Sequence, residues 1–235
     1  MGANNFTGGS QNYYGVAYGY LSTKTNSNLG REVEFTEAEL KSKTQNIEQL
    51  DLRKAFIKKD EKYTIFFPSI EGLIKDLRKE KNEHGTFLVI ELLDKDLETS
   101  LVTTKLHNKY SANFLNRFVN IIDISNKIRL APYSMPSTHK ESGKRFYNSG
   151  IAVYEEGEKV EAHFKYDDLP EKKEVEVKGQ ATYDNTVQID FLFNNAIQHF
   201  MELKSLEKST ITNSTPFEMT TDFNEKEHDD LPFNQ

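Results

Sequence analysis

Apolar and polar residues alternate with a period of two along much of this chain, which predicts a series of short β-strands. In the first of them, residues 13–20, Tyr14, Val16, Tyr18 and Tyr20 alternate with glycine and alanine, and this pattern predicts one continuous strand. Similar patterns predict strands at 63–67, 86–93, 99–106, 127–133, 145–154 and 159–166, with a further strand near 175–182. The pattern of residues 46–59 fits a helix and a strand equally well.

Capping residues or helical periodicity mark four other segments. Thr36 and Glu39 form a capping box, which predicts a short polar helix. Ser69 is placed to cap a second helix, whose buried side would be Ile70, Leu73, Ile74 and Leu77. Residues 108–120 predict a third helix with the aromatic stripe Tyr110, Phe114 and Phe118. A last helix is predicted from the cap at 184–186 to about 206, packed through Ile189, Phe193, Ile197, Phe200 and Met201.

Many short strands with interspersed helices, and no strand–helix–strand rhythm, indicate a mixed, mostly antiparallel α+β domain. Within that class we expect a small β-barrel elaborated with helices. Residues 1–12 are rich in Gly and Asn and predict a flexible arm, and 13–207 predict the single folded domain. Residues 208–235 are too polar to offset their own ordering entropy, so we expect a disordered acidic tail.

Charge is distributed unevenly along the 235 residues. The net charge is -7, yet residues 101–150 carry 8 basic and 2 acidic side chains. A block of this composition is typical of a polyanion site and equally of a solvated face. Because the chain has no cysteine, disulfides, thiolate metal sites and cysteine nucleophiles are excluded. No run approaches the ~20 apolar residues of a membrane span, and no signal-peptide pattern opens the sequence, so we expect a soluble protein.

The basic block interleaves cations with aromatic residues, as a surface that binds single-stranded nucleic acid does. Bases stack on aromatic rings, and phosphates attract Lys and Arg. In the strand 127–133, alternation places Lys127, Arg129 and Tyr133 on the face opposite the apolar Ile128 and Leu130. The full set of candidate nucleic-acid-binding residues is Lys105, Lys127, Arg129, Tyr133, Lys144, Arg145 and Tyr147.

The sequence closes on an acidic pair and an apolar tip, Asp229, Asp230, Leu231, Pro232 and Phe233, followed by Asn234 and Gln235. An acidic segment that ends in a compact Pro-Phe patch suits docking into basic-rimmed apolar pockets of other proteins. The tip closely resembles that of bacterial and phage single-stranded DNA-binding proteins, which usually end on the Phe. Together with the predicted barrel and its basic and aromatic faces, it makes the chain similar to OB-fold members of that family, especially those of phages, including phages that infect Bacteroides.

That resemblance implies an OB-like barrel that coats exposed single-stranded DNA during replication and recombination. It further implies that the five tip residues recruit replication and recombination proteins, and that the protein acts in the cytoplasm, the host's if a phage encodes it. The oligomeric state stays open. An alternative of a different class is a protein-interaction adaptor, or a phage structural component, whose basic block contacts an acidic protein.

Enzymatic signatures are weak in this sequence. Its six histidines show no pair at metal-ligand spacing, and it has neither a phosphate-binding Gly-rich loop nor a Gly-x-Ser-x-Gly elbow. Asp94 and Asp96 have the chemistry to hold a divalent ion in a nuclease, but their place beside a strand end is typical of a turn. We therefore expect a protein without catalytic residues, cofactor or metal.

Overall fold

Antiparallel pairing between neighbouring strands builds most of the fold. The computed structural model describes residues 11–24, 34, 36, 51–57, 60–94, 98–139, 143, 145–177 and 180–212. The first nine strands and first helix are β1 (Gln11–Ala17), β2 (Tyr20–Thr23), β3 (Asp51–Ile57), β4 (Asp60–Phe67), β5 (Ile70–Asn82), β6 (Gly85–Leu93), β7 (Thr99–Lys105), α1 (Lys109–Phe118), β8 (Ile128–Thr138) and β9 (Arg145–Glu155). The remaining elements are β10 (Glu158–Val160), a 3-10 turn (Tyr166–Asp168), β11 (Lys173–Val177), β12 (Gln180–Asp184) and α2 (Thr186–Thr212).

Several sequence predictions fall on residues outside these ranges. They are the N-terminal arm up to residue 10, Glu39 of the predicted capping box, Lys144, Asp96, and the acidic tail from 213 onward with its tip Asp229, Asp230, Leu231, Pro232 and Phe233. Of the ambiguous segment 46–59, residues 51–57 form strand β3.

Ten of the described strands form one sheet in the order β10-β9-β8-β5-β6-β7-β1-β2-β4-β3, and β11 and β12 form a separate hairpin. The pairs are antiparallel apart from β1 and β7, which run parallel. The expected OB-like barrel is wrong, because the described sheet is large, mixed and open. The order begins at β10 and ends at β3, and no pairing in the described residues joins these two strands, so the sheet does not close into a ring.

The helix predicted after Ser69 is wrong, because residues 70–82 form strand β5. The pairing of β5 with β6 shifts register between Ile74 and Asp76, which marks a β-bulge. Gly72 and Ile74 are buried at strand spacing, and the extra residue makes Leu77 the next buried position. The step of three from Ile74 to Leu77 imitates helical periodicity, which explains the error.

Other strand predictions hold, with changed limits. Segments 63–67, 86–93, 99–106, 127–133 and 145–154 lie in β4, β6, β7, β8 and β9, apart from Leu106 and Lys127 at two ends. The strand predicted at 159–166 is reduced to the short β10, and 175–182 is a hairpin of two strands rather than one strand.

The core lies between the central strands and the two helices. Phe114 and Phe118 of α1 are fully buried, as their helical spacing predicts, and Phe118 packs edge-on against Phe200 of α2. Met201 is wrong as a core residue, because it is 65% exposed while Leu203 is buried. Helix α2 also continues past its predicted end, to Thr212. Neither α1 nor α2 is both long and apolar enough to cross a bilayer.

Candidate nucleic-acid interface

A groove of about 930 Å³ lies where the β1–β2 turn, the first turn of α1 and the β8–β9 hairpin meet. We call it the tyrosine groove, because five of its lining residues are tyrosines. Among the described residues that line it, none is acidic. Its lining is Ala17, Tyr18, Gly19, Tyr20, Pro68, Tyr110, Pro132, Tyr133, Ser134, Met135, Tyr147 and Ser149.

The first wall comes from a tight hairpin turn, and the predicted continuous strand 13–20 is wrong at this point. Tyr18 and Gly19 both have positive φ, 52° and 82°, between the paired residues Ala17 and Tyr20. Two successive positive φ values are the pattern of a type I′ hairpin turn. The chain therefore reverses here, and the alternation predicted for one strand belongs to two.

Contacts on two sides fix this turn in place. The Gly19 N–H donates to the Tyr110 hydroxyl of α1 at 2.9 Å. A Cβ on Gly19 would lie 2.5 Å from the backbone nitrogen of Ser134 and 2.9 Å from the carbonyl carbon of Tyr133. The turn thus touches the backbone of β8 directly, at a distance that a side chain would prevent.

The second wall is the β8–β9 hairpin, and Tyr133 lies across it. Arg129, Ala131 and Tyr133 share the face opposite the buried Ile128, Leu130 and Pro132, as the alternation predicts. Tyr133 pairs with Gly150, where a Cβ would come within 2.7 Å of the tyrosine hydroxyl. That hydroxyl accepts a hydrogen bond from Asn113 Nδ2 of α1 at 3.3 Å. The absent side chain of Gly150 therefore makes room for the Tyr133 ring.

The outer part of this hairpin extends past the core and leaves apolar side chains in solvent. Tyr147 is 65% exposed and Met135 57%. Phe146, the neighbour of Tyr147 on β9, is exposed as well. This part of the hairpin covers no core, so neither of its faces is buried. Its exposed rings are therefore available to a ligand.

Three cations lie on, or just before, the elements that frame the groove. Lys109, in the first turn of α1, donates from Nζ to the Tyr147 carbonyl at 3.2 Å. Arg145 begins β9, and Lys105 ends β7 just before α1; both are exposed. Within the described part of the chain, no acidic side chain lies within ion-pair distance of these three. They are available to phosphates.

The other predicted cations lie elsewhere and have acidic partners. Lys127 forms an ion pair with Glu71, and Arg129 Nε lies 3.9 Å from the same carboxylate. The Arg129 guanidinium also stacks over the Tyr154 ring, 3.9 Å from its centroid. Arg129 precedes Tyr133 by four strand residues, about 13 Å. Tyr133 and Tyr147 therefore both line the groove, with Lys109 bonded to the Tyr147 carbonyl and Arg145 two residues before Tyr147 on β9. Lys127 and Arg129 lie apart from them.

Sequence reasoning missed three tyrosines of the groove. Tyr110 shares the helical spacing of the buried Phe114 and Phe118, which predicts a core position, yet it is half-buried and its hydroxyl accepts from the Gly19 N–H. Tyr18 and Tyr20 were placed on one strand face with Tyr14. Tyr14 instead packs edge-on against Phe67, and burial, followed by the charges of Glu98 and Asp94, raises the pKa of its hydroxyl. The Tyr-Gly pair at 18–19 was the available signal, since a glycine there permits a turn.

The described residues contain no candidate metal centre. No group of three His, Asp or Glu side chains there is arranged to hold a metal ion. Asp94 instead accepts a hydrogen bond from the Glu98 N–H at 2.9 Å, as in a turn. Comparison with known proteins adds no assignment: no family model, no curated protein and no solved structure matches this chain.

Proposed function

We propose that this protein binds single-stranded DNA with little base preference, and that the tyrosine groove is its binding surface. The observation that carries the proposal is the combination of solvent-exposed tyrosine rings with neighbouring cations that have no acidic partner among the described residues. A π-face accepts any base, so stacking gives affinity without sequence readout, and Lys and Arg neutralise the phosphates between the bases. Bases in a duplex are stacked on one another, so the same surface favours single strands.

Exposed tyrosines alone would not support this function, as a second cavity shows. Tyr166 and Tyr183, each 69% exposed, line a cavity of about 500 Å³ with Asp167 and Glu171. Carboxylates at that position repel phosphates. Of these two cavities, the tyrosine groove is the one whose described lining has no acidic side chain. The charge of the lining therefore distinguishes the tyrosine groove from the second cavity.

Titration of oligo(dT) at two salt concentrations tests the proposal. We expect tighter binding than to duplex of equal length, quenching of tyrosine fluorescence, and a salt slope of about 0.7 per phosphate neutralised. Tyr147→Ala should weaken binding by ~1–3 kcal/mol because one stacking ring is lost. Tyr183→Ala, which removes an equally exposed ring from the other cavity, is the control and should bind as the unmodified protein does.

Two results would reject this function. One is an absence of binding at low salt, and the other is equal binding of duplex and single strand. Either result would favour the alternative, an adaptor whose cationic hairpin contacts an acidic protein.

The acidic segment near the end of the sequence supplies the second part of the proposal, recruitment of replication and recombination proteins. Its support is the resemblance of Asp229–Phe233 to the tips of single-stranded DNA-binding proteins. We expect Phe233→Ala to abolish capture of such proteins, because a buried aromatic anchor contributes most of the energy of a small interface. Phe217→Ala changes the same residue type in the same segment and should leave capture intact. Equal capture by both variants would contradict a recruiting role.

A further inference from the structure

Tyr18 holds a backbone conformation that its side chain disfavours. At φ 52° it lies in the left-handed region, which is uncommon for a bulky residue. Type I′ turns prefer Asn, Asp or Gly at this position. A large ring at the tip of a hairpin therefore needs a reason beyond the turn itself.

Glu156 is the informative comparison, because it has the same place in the β9–β10 turn, with φ 48°. Its carboxylate accepts a hydrogen bond from the Lys127 N–H, and its own N–H donates to the Lys127 carbonyl. Those contacts within the fold offset the strain. Tyr18 is 75% exposed, with no hydrogen bond or ring contact to any other residue in the described ranges. Nothing inside the described fold compensates for its conformation.

The turn nevertheless holds the backbone of Tyr18 in a defined place. Gly19 is fixed between the Tyr110 hydroxyl and the backbone of β8, and Tyr18 is the residue directly before it. A side chain presented on a fixed backbone loses little entropy when a ligand contacts it. The ring lines the same groove as Tyr133 and Tyr147.

We propose that Tyr18 is a preformed stacking platform for an unpaired base in the tyrosine groove, and that the strain of its turn is retained for this contact. The proposal rests on the proposed function and adds to it the part of the ligand that Tyr18 recognises, the base rather than the phosphate. It also predicts that replacing Tyr18 with a residue that suits the turn raises the stability of the protein and lowers its affinity for single strands.

Tyr18→Asn tests this directly, because it gives the turn the Asn-Gly sequence that type I′ hairpins favour. The melting temperature should rise by about 2–4 °C as the strain is relieved. Affinity for oligo(dT) should fall about tenfold, while affinity for an oligonucleotide of equal length made of abasic sites should not change. Tyr18→Phe keeps the ring and should keep the affinity of the unmodified protein within about twofold.

The outcomes separate this inference from the proposed function. If the unmodified protein does not bind oligo(dT), the proposed function fails. If it binds and Tyr147→Ala weakens binding, but Tyr18→Asn does not, the role of Tyr18 as a stacking platform is refuted and the proposed function stands. A melting temperature that falls in Tyr18→Asn would show that the ring stabilises the fold, and would overturn the strain argument. Equal losses on oligo(dT) and on the abasic strand would show that Tyr18 does not contact a base.

Discussion

Reversing two cations beside the groove, Lys109→Glu with Arg145→Glu, should lower the affinity for oligo(dT) about a hundredfold at low salt. Each site loses a charge-assisted phosphate contact, for which tenfold, or ~1.4 kcal/mol, is a conservative estimate. Two fewer neutralised phosphates should also reduce the salt slope by about 1.4. Titration at several salt concentrations measures both quantities in one experiment. Both side chains are exposed, so the melting temperature should change little.

The matched control is Lys159→Glu with Lys204→Glu, which changes the net charge by the same amount. Lys159 forms an ion pair with Glu161. The carbonyl of Glu161 accepts a hydrogen bond from the side chain of Asn120, which follows the C-terminal end of α1, so Lys159 lies near that end of the helix. Lys204 lies over the ring of Phe200, which contacts Phe118 at that same end of the helix. Tyr110 and the groove are at the other end. If both double variants lose affinity equally, the cause is net charge, and the cations of the groove have no special role.

Arg129 should matter less than Arg145, although the sequence places both in the basic block. The difference arises from a partner that sequence reasoning could not supply. Glu71 comes from a segment predicted to be helical, and it meets Arg129 only because that segment is strand β5 and pairs with β8. An ion pair with Glu71 and a ring contact with Tyr154 already occupy the Arg129 guanidinium.

What the sequence could predict was local. The alternation of β8 assigned Arg129 and Tyr133 to one face and Ile128 and Leu130 to the other, and the structure agrees. Such a prediction needs only the two-residue period and one buried face. The cap at Asn108, whose side chain accepts from the Ser111 N–H, is equally local and is close to the predicted start of α1.

What it could not predict depends on long-range pairing. The bulge after Ile74 changes the phase of burial, and nothing in the residues around it distinguishes that change from a helix. The groove itself joins Tyr18, Tyr110 and Tyr147, which are far apart in sequence and meet only through the order of strands in the sheet. Single-stranded DNA binding was therefore predicted from the local pattern of cations and rings and from the resemblance of the acidic tip, whereas the surface proposed for it comes from topology.

Gly19→Ala should produce the largest combined loss of stability and binding. Alanine at φ 82° is strained, at about 1–2 kcal/mol. Its Cβ would also lie 2.5 Å from the Ser134 backbone nitrogen, where no side-chain rotation can relieve the contact. The turn must move away from β8 or β8 must bend, so we expect a total loss of ~3 kcal/mol or more. Thermal or denaturant unfolding measures it.

Gly157→Ala isolates the conformational part of that loss. Gly157 has nearly the same backbone angle, φ 87°, in the equivalent turn between β9 and β10, and a Cβ there would meet nothing within 4 Å. Its alanine variant should lose only the ~1–2 kcal/mol of strain and bind oligo(dT) normally. The excess loss in Gly19→Ala then reports the contact between the β1–β2 turn and β8. That contact also positions Tyr18 and the Tyr110 hydroxyl, so Gly19→Ala should weaken binding even at temperatures where the protein stays folded. Equal losses in the two variants would show that the turn does not rest on β8, and that this wall of the groove is not fixed.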